Sequence, residues 1–178
     1  MDIELKWLLN ESGVVYDIVN YELSENRKAT DEGIEEAINA ILEEESNLLE
    51  VLLLENNHNR YLGAIIQRGS VLDFSKIEHI LKAEGLFMNY EFAIADAGAV
   101  KNLLGYKTPN RISPFAFYMG DIPALVDSTL LVKDSMCIVD SDENILTKFR
   151  LSPREFSNFG YLFGDICETH NSKPTSEY

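Results

Sequence analysis

Apolar residues along this chain fall into short β-like runs separated by stretches with helical spacing. Ile3, Trp7 and Leu8 recur at helical steps behind Asp2, which can cap a first turn, and Ser12-Gly13 stops that helix. Residues 14–21 form a β-rich run. Thr30 then opens a helix with Asp31 and Glu32 at the positive end of its dipole. Ile34, Ala37, Ile38, Ile41 and Leu42 line one face of it, and it should end near Ser46. Two nearly continuous apolar runs, 48–54 and 61–67, flank Asn56-Asn57-His58-Asn59 and read as a central hairpin. Asp73 caps the next helix, which turns Phe74, Ile77, Ile80 and Leu81 inward and stops at Gly85. Residues 92–95 make a short strand, and Asp96 opens a helix carrying Val100, Leu103 and Leu104 to Gly105, a residue suited to a left-handed C-cap.

Beyond Gly105 the periodicity stops. Pro109 and Pro114 stiffen a loop that leads to Ile122-Pro123-Ala124-Leu125-Val126, a buried-strand pattern closed by Asp127. A rigid loop beside a strand-terminal acid is a common setting for small-molecule sites, and it is equally a common long connection. Ser128 to Leu131 reads as a turn, 136–139 and 145–151 as a second hairpin, and Ser152-Pro153 as the start of a last helix reaching about Phe163. No repeat or linker divides the sequence. The expectation is one α+β domain over residues 1–166, a mixed/antiparallel sheet flanked by helices, with 167–178 as a flexible tail.

Composition changes the picture little, except in charge. The 178 residues suffice for one domain, and 46% apolar with 25% charged is ordinary for a globular protein. No apolar run approaches the roughly 20 residues of a membrane span, and the acidic start Met1-Asp2-Ile3-Glu4 is unlike a secretory leader. Cys137 and Cys167 lack metal spacing and fit a reduced cytoplasm as packing residues. The net charge of −15 argues against a broad phosphate-gripping face, but the acid lies mainly before residue 100. Lys101, Lys107 and Arg111 gather around the proline loop, so any anion-binding surface should be local to it.

Several chemistries lose ground. Asp140, Asp142 and Asn144 alternate like calcium-loop ligands, yet Ile145 and Leu151 stand where glycine and glutamate belong, so a hairpin turn is expected there. His58, His79 and His170 are scattered, and no nucleophile elbow, phosphate loop or dinucleotide fingerprint occurs. Neither a metal nor a cofactor is expected.

The order of elements, with Leu104-Gly105-Tyr106, Asn110-Arg111-Ile112-Ser113-Pro114-Phe115, Ile122-Pro123 and Val126-Asp127-Ser128, resembles the YbaK / prolyl-tRNA synthetase insertion-domain family. Leu72-Asp73-Phe74-Ser75-Lys76 resembles its middle-helix segment and Leu151-Ser152-Pro153-Arg154-Glu155-Phe156 its closing-helix start. The resemblance spans about residues 3–160 and is distinctive from 100 to 130. It implies an α+β fold and hydrolysis of the ester of mischarged tRNA, a translation-fidelity role. In that family a Gly-x-x-x-Pro loop holds the ester carbonyl and a water with backbone groups, and the terminal ribose of the tRNA helps activate the water. Carried onto this chain, the substrate-binding residues are Asn110, Arg111, Ile112, Ser113, Pro114 and Asp127. No catalytic side chain is assigned. The partner implied is aminoacyl-tRNA, met through Lys101, Lys107 and Arg111.

The chain departs from that pattern twice. The family's strand lysine should fall near residues 48–50, where Leu48, Leu49 and Glu50 stand, and there is no lysine between Lys28 and Lys76. Asn110 replaces the loop's first glycine, and Ala116 a later one. Two readings therefore stand side by side: a deacylase acting in trans, and a non-catalytic relative binding an aminoacyl ligand, a tRNA end or a protein partner. Ser113 lacks a nearby histidine and is read as a loop-structuring hydroxyl rather than a nucleophile. Asp127 either orients substrate or caps the turn at Ser128-Thr129. Phe115, Phe117 and Tyr118 are read as core ahead of a base-stacking platform.

Overall fold

The computed structural model describes residues 3–22, 47–86, 91–106, 112–142 and 145–169. The helix expected from Thr30 lies outside them, as do residues 170–178 of the expected tail. Helix α1 spans Ile3–Glu11 and strand β1 Tyr16–Glu22. The central hairpin is β2 (Leu49–Asn56) and β3 (Tyr61–Gln67), closed by a turn in which the Asn56 Oδ1 accepts from the His58 and Arg60 amides at 2.9 Å. Next come α2 (Phe74–Ala83), β4 (Phe92–Ile94), α3 (Ala97–Leu104) and the short α4 (Ala116–Met119). Strand β5 (Ala124–Asp127) runs into a 3-10 turn over Ser128–Val132, followed by β6 (Met136–Asp142) and β7 (Ile145–Leu151). A second 3-10 segment (Pro153–Phe159) and β8 (Leu162–Gly164) complete the described chain.

The strands form a mixed five-stranded sheet, β4-β2-β3-β5-β8, and an antiparallel three-stranded sheet, β1-β7-β6. In the larger sheet β5 runs parallel to both β3 and β8. The fold is α+β. Both faces of the five-stranded sheet are covered, which is why its strands read as continuous apolar runs rather than alternating ones. Leu49, Val51, Leu53, Ile65, Ala124 and Val126 face the main core with α1, the proline loop and the smaller sheet. Leu54, Leu62, Ala64, Ile66 and Leu125 face a second core against α2.

Caps set the helix ends. Asp73 accepts from the Ser75 and Lys76 amides at 3.0 and 3.2 Å, and Asp96 from the Ala99 amide at 2.8 Å. Gly105 closes α3 at φ +78°, the left-handed cap that the sequence predicts. Asp96→Ala should lower stability by about 1 kcal/mol in a urea melt, and Asp96→Asn by much less, because asparagine keeps the acceptor.

Three expectations need correction. Trp7 does not face the core: it is 64% exposed, and Leu8 and Leu9 are buried in its place. Leu103 is exposed as well, leaving Val100 and Leu104 to anchor α3. The last segment is not a helix to Phe163. It stops at Gly160, where φ is +70°, and the chain then enters β8 beside β5. Past β8 the backbone stays bound: Leu72 bridges Cys167, and the Glu168 amide donates to the Val71 carbonyl at 2.8 Å. Lys76 clasps this stretch to α2 through Asp165, at 2.9 Å to each carboxylate oxygen, and through the Cys167 carbonyl at 2.7 Å.

Candidate functional site

The described end of the connection between α3 and α4, residues 112–115, lies on the main-core face of the larger sheet. Asn110, Arg111 and Lys107 fall outside the described residues, while Ile112, Ser113 and Pro114 fall within them. All three are buried, together with Phe115, Ala116 and Phe117. Ile112 and Phe115 join the main core, so apolar packing anchors the C-terminal base of the loop. The rings of Phe156 and Phe159 lie 6.0 and 5.1 Å from that of Phe115. Phe117 packs over Gly63 of β3, where an added Cβ would fall inside its ring. Tyr118 is the one aromatic of this group that reaches the surface, at 49% exposed, with its ring edge-on to Phe159.

Ser113 is buried, and its Oγ accepts a long 3.4 Å hydrogen bond from the Phe115 amide, while its carbonyl accepts from the Ala116 amide at 3.0 Å. It structures the turn into α4. Pro114 has a partner that the sequence does not suggest. The Tyr161 hydroxyl donates to its carbonyl at 2.6 Å and accepts from the Tyr118 amide at 3.0 Å. Burial pushes the Tyr161 phenol well above the ordinary tyrosine range, so it stays protonated and remains a donor.

Asp127 is not brought to the loop. Strand side chains alternate, and Val126 faces the main core while Leu125 faces the second. Asp127 therefore shares the side of Leu125, opposite the loop. It is 1% exposed, with Oδ1 accepting from the Ile166 amide at 3.3 Å and Oδ2 from the Thr129 hydroxyl. Burial, and then the neighbouring Asp127 charge, push the Cys167 thiol up to about 12. The carboxylate thus ties β5 to the segment after β8 and to the 3-10 turn.

On the loop side of the sheet stand residues of quite different character. Leu49, within the stretch 48–50 where the family lysine is expected, is buried in the same apolar core as Ile112 and Phe115. Tyr61 packs against that core and donates to Glu55 at 3.2 Å, and burial with the nearby Glu55 and Asp96 charges raises its phenol. Tyr106, next to the loop, packs there too. Lys101 is exposed on the last turn of α3, the cation of the expected anion-binding group that the described residues include. His79 is exposed on α2, across the sheet from Ser113. Tyr161 and Gly63 were not legible as site-shaping residues; the signals present were an aromatic after Gly160 and a glycine interrupting an apolar run.

No protein-family model and no curated protein matches the sequence. Solved structures do match in fold. The crystal structure of the hypothetical protein APE2540 superposes with a TM-score of 0.69 at 20% identity, covering 93% of this chain and 99% of that one. A protein described as a "putative trans-editing enzyme for prolyl tRNA synthetase" superposes at 0.58 with 18% identity, over 93% of this chain and 95% of that one. A "Putative signal transduction protein" from Marinobacter aquaeolei VT8 gives 0.57 at 12% identity, over 95% of this chain but 31% of that one. The first two of these proteins share the fold along nearly their whole length.

Proposed function

We propose that this chain is an aminoacyl-tRNA deacylase acting in trans, hydrolysing the ester of mischarged tRNA in the cytoplasm. The observation that carries the reading is the Ile112-Ser113-Pro114 loop base, buried and held through its carbonyls by the Tyr161 hydroxyl and the Ala116 amide, on a fold shared with the trans-editing neighbour. Water adds to the ester carbonyl, the resulting tetrahedral oxyanion is met by backbone donors of the loop, and collapse releases the ribose hydroxyl and the free amino acid. Preorganised donors of this kind stabilise developing charge without reorganising. No side-chain nucleophile is assigned: Ser113 is buried with its hydroxyl turned to the Phe115 amide, and His79 stands on α2 across the sheet from it. Lys101, with Lys107 and Arg111, gives the tRNA end a local cationic approach on an otherwise acidic chain.

Leu49 favours a second reading, in which the same loop binds an aminoacyl ligand or tRNA end without turnover. A deacylation panel separates the two. Purified protein should release amino acid from at least one mischarged tRNA, and Asn110→Trp should lower that rate at least about tenfold by crowding the loop. A panel left intact at micromolar protein, with charged tRNA retained saturably on a filter, would replace the deacylase with the binder.

A further inference from the structure

Pro114 and Tyr118 are four residues apart, the spacing at which an α-helix makes its hydrogen bond. Here that bond is absent. The Tyr161 hydroxyl sits between the two groups, accepting from the Tyr118 amide at 3.0 Å and donating to the Pro114 carbonyl at 2.6 Å. The neighbouring rungs are direct: the Met119 amide reaches the Phe115 carbonyl at 3.2 Å and the Gly120 amide the Ala116 carbonyl at 2.9 Å. A side chain inserted into one rung of a helix opens that turn and changes the angle at which the chain enters it. The inserted group is rigidly held, because the Tyr161 ring stacks on Phe156 at 6.0 to 6.1 Å from it and from Phe159.

We propose that Tyr161 is a positioning residue for the loop site: its hydroxyl wedges open the first turn of α4 and so sets the direction in which the loop leaves Pro114. This rests on the deacylase reading for its catalytic consequence, but not for its geometry. Without the hydroxyl, the Tyr118 amide has an obvious substitute in the Pro114 carbonyl. The turn would close, α4 would grow backwards, and the loop base would shift while the core stayed packed. Tyr161 touches no substrate in this scheme. It acts through the backbone of Pro114.

The test compares Tyr161→Phe with Phe156→Leu. The first removes the hydroxyl and keeps the ring; the second loosens the same ring cluster and keeps the hydroxyl. Tyr161→Phe should lower kcat for deacylation about tenfold or more with KM within about twofold, since misplaced groups weaken the transition state more than the ground state. Its Tyr118 amide should change in chemical shift yet stay protected from exchange, now bonded to the Pro114 carbonyl. Phe156→Leu should melt earlier and lose much less kcat than Tyr161→Phe, because the Tyr161 hydroxyl still reaches both groups. Equal kcat losses in both variants would reduce Tyr161 to packing and overturn the proposal, as would a Tyr161→Phe protein with unaltered kcat and an unaltered Tyr118 amide. Should the wild type hydrolyse nothing, the deacylase reading falls by itself. The wedge is then decided by the amide alone: protection kept through a bond to the Pro114 carbonyl sustains it, and an unprotected amide removes it.

Discussion

Asp127→Ala should unfold about 3–5 kcal/mol more easily than the wild type, a fall of about 10 °C or more in Tm for a domain of this size. The effect is large because the alanine takes an acceptor from several buried donors at once. The Ile166 amide and Thr129 hydroxyl both point at this carboxylate, and the buried Cys167 thiol lies beside it. Each donor left without an acceptor costs about 1–3 kcal/mol. Asp127→Asn should be much milder, because its amide oxygen still accepts from Ile166 and the threonine hydroxyl can rotate to accept from the new NH2. The pair also separates structure from chemistry. If the carboxylate oriented substrate, both variants would lose deacylation in proportion; with the carboxylate on the far side of β5, Asp127→Asn should keep it. Thermal melts and single-turnover deacylation on the two proteins provide the comparison.

Gly63→Ala should cost about 2–3 kcal/mol, from overpacking rather than from backbone strain. The added Cβ would enter the ring of Phe117, which is fully buried and has no free end to swing aside. Gly63 is also tied at 2.8 Å to the Pro123 carbonyl through its amide, so β3 cannot retreat without breaking the approach to β5. A urea midpoint lowered with unchanged m-value is the expected signature. A second-site change, Phe117→Leu, should recover part of the loss by vacating the space that the methyl occupies. Recovery would tie the cost to this one contact, and a failure to recover would place it elsewhere in the sheet.

Local chemistry made much of this fold legible. Asp73 and Asp96 announce their helices because a carboxylate before an apolar face has free amides to accept from, and Gly105 announces an end because its φ is positive. The hairpin at 56–60 is legible from turn residues, and the loop from its prolines. What escaped the sequence is long-range. Strand β8 has three residues, too few for a period, and it exists because β5 offers it an edge. The stretch from Ser152 to Phe159 has helical spacing, and only Gly160 marks that it stops. The spacing of Ile3, Trp7 and Leu8 marks a helix but not its inner face, which runs through Leu8 and Leu9 and leaves Trp7 exposed. The side on which Asp127 points could not be read at all, since both faces of β5 are apolar and alternation carries no label. In the candidate site the same division holds: the prolines mark the loop, whereas the burial of Ile112, Ser113 and Pro114 and the tyrosine that holds the Pro114 carbonyl from 47 residues further on depend on the rest of the fold.

That separation has a consequence for how the protein is made. A chain emerging from the ribosome presents the proline loop well before Tyr161, β8 and the clasp between Lys76 and Asp165 exist. Until then α4 is free to close its first turn, β5 has an open edge, and Asp127 has no Ile166 amide to meet. The Pro114 carbonyl and the Asp127 carboxylate gain these partners only once residues 161–166 thread back beside strands made long before. A chain stopped before Tyr161 would therefore fold in part, with the base of the loop still without the tyrosine that holds it.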